Sequence, residues 1–368
     1  MLTLFKVDTT LKIYCGTYLN KTLQNHGWLL LDDDYKKKMP IPFSAEHSFS
    51  HDLDTTDGPP LESEQKALSM KMNMHYRQVI GLLIWPMVKC RPDYSFHITK
   101  LSQVLSNPAQ PHYEALRSIT KYLAHTIDHG IYYWRKQPRT DLPCHPLPTL
   151  APDNHTFTTD LSQNAALPSL TGFADADWAA CRRTRKAVTG GIIMLAGGSV
   201  VYKTRFQNAI AHSTTEAEWV SVVDLGKTSL YCRSILDDLG IPQHDATIIY
   251  EDNRGALFMA NAQQPSPRTR HIDIREFALV DWVAEDLLIL EAITSPDNCS
   301  DAMTKALPKQ LFYRHNDTIM GCRIPPHLIE YIQKEPEYLS LNEALNSHAM
   351  PVLGDLSLAS PHPKIKGG

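Results

Sequence analysis

The sequence predicts an α/β protein in which a mixed five-stranded sheet with helices follows a mainly helical domain. Three runs rich in β-forming residues, TGFADAD, GGIIMLAG and SVVYKTRFQ, come in succession and are separated by basic or glycine-containing turns. A long helix, a strand (ATIIYED), two helices, a second strand (LLILEAI) and a final helix follow in that order. Hairpin strands pair antiparallel, whereas strands joined through a helix pair parallel by a right-handed crossover, so this order indicates a mixed sheet.

Ahead of the sheet, helical periodicity runs through SEQKALSMKMNMHYRQVIGLLIW and YEALRSITKYLAHTI, and IYYWR is typical of a short strand. A proline-rich polar stretch that cannot bury enough apolar surface to order itself separates these helices from the sheet. The predicted parts are an irregular N-terminal segment (1–65), a helical region (66–135), a linker (136–168), the sheet domain (169–310) and a largely flexible C-terminal extension (311–368).

The bulk composition limits the classes of function. The chain has 368 residues, of which 43% are hydrophobic, enough for two domains with tails. A net charge of −4 excludes a polycation, so nucleic acid would be bound through local patches and metal ions. Seven scattered cysteines without a C-x-x-C pair argue against a disulfide framework or a zinc module. The start lacks a signal-peptide core, and the longest apolar run, VIGLLIWPMV, is too short to span a bilayer, so we expect a soluble intracellular protein.

Acidic residues fall where the predicted sheet would bring side chains together. Asp175 and Asp177 are two apart on the first strand, so both side chains point to one face. Ser213 and Glu216 match the capping box S-x-x-E, which gives Glu216 a structural task. Glu218 lies about 200° around the same helix from Glu216, so one of the two can cap while the other faces the sheet.

Two further acids complete the pattern. Asp252 ends the strand ATIIYED, at the sheet edge where α/β proteins bind ligands, and Asp301 opens the last predicted helix. Each acid alone has an ordinary explanation as a helix cap, a strand end or a surface residue. Gathered together, the carboxylates would repel one another unless divalent cations neutralised them, and oxygen ligands suit Mg²⁺ or Mn²⁺. The pattern therefore favours a two-ion site for phosphodiester hydrolysis.

Five motifs carry a family resemblance. In order and spacing, LTGFADADWAACRRTRKAVTGG, HSTTEAEW, IIYEDNRGA, RTRHIDIR and SDAMTKALP resemble the ribonuclease H domain of Ty1/copia-type retrotransposon Pol polyproteins. This similarity runs from Leu170 to Pro308. The segment from YRQVIGLLIW to GIYY is similar to the thumb or connection region that follows the reverse transcriptase palm in those polyproteins. The polymerase signature Y-x-D-D does not occur in the sequence, so we expect the chain to begin after the polymerase centre.

The resemblance implies a ribonuclease H that hydrolyses the RNA strand of RNA–DNA hybrids with two Mg²⁺ or Mn²⁺ ions. By motif position, the implied catalytic and metal-binding residues are Asp175, Glu218, Asp252 and Asp301. The chain departs from the family pattern at Ala187-Val188, Trp219 and Ala306 but keeps every acid. These departures leave open a catalytically inactive or host-retained copy that only binds nucleic acid or a partner. An integrase-like strand transferase is less favoured, because that class usually needs three acids.

The implied partners are an RNA–DNA hybrid and the palm and fingers portion of a reverse transcriptase, with no membrane. The expected location is the cytoplasm, including virus-like particles, or the nucleus.

Basic residues in two motifs are the predicted nucleic-acid contacts. They are Arg182, Arg183, Arg185, Lys186, Arg270, His271 and Arg275. A charged turn is often only solvated, but beside a phosphodiester site a phosphate-binding role becomes equally favoured. Asp177 is predicted to orient the basic turn or to pair with Arg182 or Arg183, which leaves Asp175 for the metal.

In the helical region, a set of basic and aromatic side chains either follows a duplex or forms ordinary solvated helix faces, and the pattern does not separate the two. The set is Arg77, Arg91, Arg117, Lys121, Tyr76, Tyr94 and Tyr122.

Overall fold

The computed structural model describes residues 2–7, 10–27, 41–43, 47–134, 169–260 and 278–321. The N-terminal elements are β1 (Thr3–Val7), β2 (Thr10–Tyr14), α1 (Gly16–Asn25), α2 (His47–Thr55), α3 (Glu62–Met72), α4 (Tyr76–Cys90), α5 (Ser95–Ser102), α6 (Gln110–His125) and β3 (Gly130–Trp134). The C-terminal elements are β4 (Thr171–Asp177), β5 (Val188–Leu195), β6 (Gly198–Phe206), α7 (Thr214–Asp238), β7 (Thr247–Glu251), α8 (Arg254–Ala260), α9 (Ala278–Ala284), β8 (Leu288–Ala292), α10 (Asp301–Thr304) and α11 (Lys309–Ile319). The predicted linker (136–168) lies outside the described residues.

A five-stranded mixed sheet organises the C-terminal half, in the order β6-β5-β4-β7-β8. The strands β4, β5 and β6 pair antiparallel, whereas β7 runs parallel to β4 and β8 runs parallel to β7. The parallel partners are the strands reached through helices, as the crossover rule requires. The predicted α/β architecture, a mixed five-stranded sheet preceded by a mainly helical region, is confirmed.

Helices α7 and α10 pack on opposite faces of this sheet. Successive residues of a strand point to opposite faces. A Cβ atom on Gly191 would lie 3.0 Å from Leu225 of α7, whereas one on Gly190 would lie 2.5 Å from Thr304 of α10. Gly190 is the register partner of Asp175, so α10 lies over the part of β4 that carries this acid.

Gly190→Ala should destabilise the protein and displace α10, because the new methyl group would also lie 2.9 Å from Met303 Cβ and 3.0 Å from the Ser300 carbonyl oxygen. Overpacking of this kind costs about 1–3 kcal/mol, which denaturant unfolding measures. Gly81→Ala, at a helical position with no atom within 4 Å of the added Cβ, is the control and should be neutral or stabilising. Equal stability of the two variants would contradict the close approach of α10.

Residues 1–65 differ from the irregular segment that the sequence predicts. β2 pairs antiparallel with both β1 and β3, and Ile13 lies opposite Ile131. Helices α1, α2 and α3 follow, and Leu19 and Leu23 of α1 are fully buried. The pairing of β2 with β3 joins segments that are far apart in the chain, so no local sequence pattern predicts it.

One hydrophobic core joins the helical region to the sheet. Leu83 of α4 and Leu116 of α6 belong to the same buried cluster as Phe173 of β4 and Ile192 of β5. A second cluster lies on the α7 side of the sheet. The helical region therefore covers one face of the sheet, and α7 covers the other.

The C-terminal extension begins with a packed helix rather than a flexible chain. Phe312 and Ile319 of α11 are buried, and the ring of Phe312 lies 6.0 Å from that of Tyr122, centroid to centroid. The backbone N–H of Tyr132 donates to the Met320 carbonyl at 2.9 Å, which ties the end of α11 to β3. The remainder of the predicted extension, 322–368, lies outside the described residues.

A buried polar network crosses the helical region. Arg91, with a side chain 0% exposed, donates to both carboxylate oxygens of Asp93 and to the carbonyl and hydroxyl oxygens of Thr126. The Tyr122 hydroxyl donates to Asp93 at 2.8 Å, and the Tyr94 ring lies 5.6 Å from the guanidinium. The interpretation of Arg91, Tyr94 and Tyr122 as duplex contacts is wrong, because these side chains form the core.

The other residues in that set are also largely structural. Tyr76 and Lys121 are buried, and Arg117 donates to the Met72 carbonyl at 2.8 Å. Arg77 remains exposed at the surface, although its Nε donates to a backbone carbonyl between α5 and α6. Among the described residues, no helix is both long and apolar enough to cross a bilayer.

Candidate active site

Three carboxylates converge at one edge of the five-stranded sheet. Asp175 lies on β4, Glu218 lies near the start of α7, and Asp252 directly follows β7. One carboxylate oxygen from each lies within 4.8 Å of the others. Phe173 pairs with Tyr250 in the parallel β4–β7 register, so the acids two residues further along each strand lie side by side.

Asp175 is held by hydroxyl groups from two helices, α7 and α10. The Ser221 hydroxyl of α7 lies 2.8 Å from the Asp175 carbonyl and 3.0 Å from the Gly190 carbonyl, and donates to this backbone pair. The Thr304 hydroxyl of α10 donates to the Asp175 carboxylate. Asp175 is only 3% exposed, so its carboxylate is fixed in a protein environment rather than in bulk water.

The start of α7 separates its two acids as the capping box predicts. The Ser213 hydroxyl accepts a hydrogen bond from the Glu216 N–H at 3.1 Å, and the Glu216 carboxylate accepts one from the His212 N–H at 2.7 Å. The Glu216 carboxylate therefore caps the start of α7. Glu218 is the acid that reaches the site, and its Oε2 has no hydrogen-bond partner within the described part of the chain.

Asp252 is not the helix cap that would explain it structurally. The Asn253 side chain accepts hydrogen bonds from the N–H groups of Gly255 and Ala256 at 2.9 and 3.1 Å, and so caps α8. Asp252 is thus left to point toward Asp175 and Glu218.

Asp301 lies beside this group but is bound differently. Its carboxylate forms an ion pair with the Lys305 ammonium at 2.7 Å, one helical turn further along. Asn298 donates to the Ala174 carbonyl at 2.7 Å and thereby anchors the segment that leads into α10 to β4. The structure brings the other three predicted acids together within ligand distance. Asp301 is connected to them through a side-chain hydrogen bond with Asp175.

Three residues at the site do not appear among the predicted ligands. Glu251, 0% exposed, accepts from the Asn253 N–H at 2.9 Å, and its second oxygen has no partner among the described residues. Thr304 and Lys305 contact Asp175 and Asp301 respectively. The i, i+4 spacing of Asp301 and Lys305 is the one signal that points to such a pair.

Comparisons with known proteins show which sequences this chain resembles. No family model matches the chain. It is 28% identical over 237 residues to the Retrovirus-related Pol polyprotein from transposon TNT 1-94 of Nicotiana tabacum, a match covering 64% of the chain and 16% of the relative. The corresponding protein of transposon RE1 of Arabidopsis thaliana is 28% identical over 251 residues, 68% of the chain and 15% of the relative. The chain is thus similar in sequence to retrotransposon Pol polyproteins. It spans only 15 to 16% of the length of these relatives.

Solved structures similar to this chain include LC11-RNase H1 isolated from compost, at 12% identity and a TM-score of 0.28, covering 37% of the chain and 92% of that protein. The N-terminal RNase H domain of a Mycobacterium tuberculosis protein has a TM-score of 0.28 at 9% identity, covering 42% of the chain and 96% of that structure.

Burial and mutual repulsion dominate the electrostatics of the acidic cluster. Burial raises the pKa of Glu218, and the charges of Glu251 and Asp175 raise it further. Burial, followed by the charge of Asp175, raises the pKa of Asp301 to about 7. Oxygen-only donors, one of them buried and unpartnered, fit a hard divalent cation such as Mg²⁺ or Mn²⁺, which would neutralise this repulsion.

The basic turn between β4 and β5 lies at the surface, and Arg182, Arg183 and Arg185 are exposed. Arg183 forms an ion pair with Asp57 at 2.8 Å, so it pairs with the N-terminal segment (1–65) and not with Asp177. Burial raises the pKa of Asp177 to about 6. The predicted contacts Arg270, His271 and Arg275 lie outside the described residues.

Proposed function

We propose that the chain hydrolyses the RNA strand of RNA–DNA hybrids in a reaction that depends on Mg²⁺ or Mn²⁺. The observation that carries this proposal is the convergence of Asp175, Glu218 and Asp252, whose oxygens lie within 4.8 Å of one another at the end of two parallel strands. Acids converging from two strands and a helix, with an unpartnered buried oxygen among them, are expected of a cation site and not of a structural ion pair.

These three acids would hold a divalent ion, and a second ion would use Asp175 together with Asp301. Bound divalent ions activate a water and stabilise the leaving oxygen in phosphodiester hydrolysis. The chain's own residues orient the ligands: Thr304 fixes the Asp175 carboxylate, and Asn253 caps α8 so that Asp252 stays directed at the site.

The substrate side of the proposal rests on the surface beside the acids. Trp178 follows β4, is 41% exposed, and donates its indole N–H to the Ala211 carbonyl at 2.9 Å, which fixes the ring. A fixed aromatic face beside the exposed Arg182 and Arg185 suits a sugar–phosphate backbone. Recognition of a hybrid would rest on shape and 2′-hydroxyl contacts rather than base sequence.

The proposal also includes further nucleic-acid contacts, a protein partner and a cellular location. Lys186 and Arg183 would add to the positive potential of the basic turn. Arg270, His271 and Arg275, which lie outside the described residues, would contact the nucleic-acid backbone. The palm and fingers of a reverse transcriptase would adjoin the helical region. The proposed location is the cytoplasm, including virus-like particles, or the nucleus.

Asp252→Asn should lower cleavage of a labelled RNA–DNA hybrid in Mg²⁺ by more than roughly a hundredfold, since a direct metal ligand is lost. The matched control is Asp238→Asn, an exposed acid at the far end of α7, which should cleave like the wild type. If wild type and Asp252→Asn behave alike, the nuclease proposal fails. Hybrid binding without cleavage would favour an inactive copy, and cleavage of duplex DNA alone would favour a strand transferase.

A further inference from the structure

Lys305 brings a positive charge next to the acidic cluster through its contact with Asp301. Its ammonium lies 2.7 Å from the Asp301 carboxylate, which is 5% exposed. After burial, the charge of Lys305 is the largest influence on the pKa of Asp175, which it lowers. It also lowers the pKa of Asp177. The ammonium therefore contacts the Asp301 carboxylate and acts electrostatically on those of Asp175 and Asp177.

The backbone around Lys305 holds this ammonium in place. Thr304 is hydrogen-bonded to Asp175, and its neighbour Lys305 ends the short helix α10, which begins at Asp301. The absence of a side chain at Gly190 lets this helix lie against the sheet. The Lys305 N–H donates to the Asp301 carbonyl at 3.1 Å, which fixes the reach of the side chain.

Asp175, Glu218 and Asp252 can bind one divalent ion without Asp301. A second ion shared by Asp175 and Asp301 would need the carboxylate that Lys305 already contacts. Two cations on one carboxylate repel each other, so the ammonium and a second ion compete for that position.

We propose that Lys305 is a positioning residue that occupies the second cation position, so that the substrate-free protein binds one divalent ion tightly and a second only by displacing the ammonium. This inference rests on the proposed metal-dependent function. It predicts that Asp175, Glu218 and Asp252 bind one divalent ion with high affinity, and that the position at Asp301 binds a second ion with low affinity.

The test counts Mn²⁺ ions bound to the substrate-free full chain, by titration calorimetry and by the electron paramagnetic resonance signal of free Mn²⁺. Wild type should bind one ion, with a second at least about tenfold weaker. Lys305→Met should tighten the second ion by about tenfold or more and shift the Mg²⁺ activation curve of cleavage to lower concentration. Asp301→Asn should remove the weak ion and keep the tight one.

Two controls guard the interpretation. Lys305→Arg keeps a cation at the position and should retain weak second binding, and Lys309→Met removes an exposed lysine of α11 and should match the wild type. Unchanged second-ion affinity in a folded Lys305→Met protein overturns the inference. Absence of any Mn²⁺ binding to wild type instead refutes the proposed function, and a shift in metal affinity without hybrid cleavage leaves the Lys305 inference standing alone.

Discussion

Asp175→Asn should abolish hybrid cleavage, whereas Asp177→Asn should leave it measurable. The two acids are two residues apart on β4, yet only Asp175 has an oxygen within 4.8 Å of both Glu218 and Asp252. Asp177 is half-buried and lies outside that group. An asparagine oxygen keeps the shape of the side chain but lacks the charge that holds a divalent ion, so we expect a loss of more than roughly a hundredfold for Asp175.

The stability of the two variants separates lost chemistry from lost folding. Burial raises the pKa of Asp175, so its charged form opposes folding in the absence of metal, and this penalty grows as pH rises above the ordinary carboxyl pKa. Asp175→Asn should therefore unfold in metal-free buffer at the same denaturant concentration as the wild type or at a higher one. Full activity of Asp175→Asn, or complete inactivity of Asp177→Asn in a folded protein, would contradict the assignment.

Local patterns predicted the sheet and the convergence of its acids. Strand-forming runs, a capping box and the strand end at Asp252 are features of neighbouring residues, and sheet topology then brings the acids together. The capping box also separated Glu216 from Glu218, as the hydrogen bonds of α7 confirm. The assignment of catalytic roles stays a prediction.

Features that depend on contacts between distant segments could not be predicted from the sequence. Nothing near Ile13 indicates that β2 would pair with β3, and the residues around it therefore look irregular. Likewise, the sequence around Arg91 and Tyr94 resembles a nucleic-acid-binding surface. Its Asp93, the ion-pair partner of Arg91, fits an exposed turn equally well in the sequence. Burial depends on the packing of α4, α5 and α6 around them, which only the fold determines.

Asp93→Asn should produce the largest loss of stability in the helical region. Arg91 and Asp93 are both fully buried, and burial alone would raise the pKa of Asp93, but the charge and hydrogen bonds of Arg91 hold it below its usual value. Asparagine would leave the guanidinium buried without a counter-charge, which costs about 3–5 kcal/mol. Since domains are stable by about 5–15 kcal/mol, the variant should unfold at a much lower denaturant concentration.

A double variant tests whether charge or shape is responsible. Arg91→Met combined with Asp93→Asn removes the unpaired buried charge and should recover part of the lost stability, because buried ion pairs are often replaceable by apolar side chains.

Glu62→Gln is the control. It breaks an exposed ion pair with Lys66 of similar length, 2.8 Å, and should change stability little, since water screens that pair. If Asp93→Asn were as mild as Glu62→Gln, Arg91 would have to reach solvent. Arg91 and Tyr122 would then be restored as candidates for nucleic-acid binding.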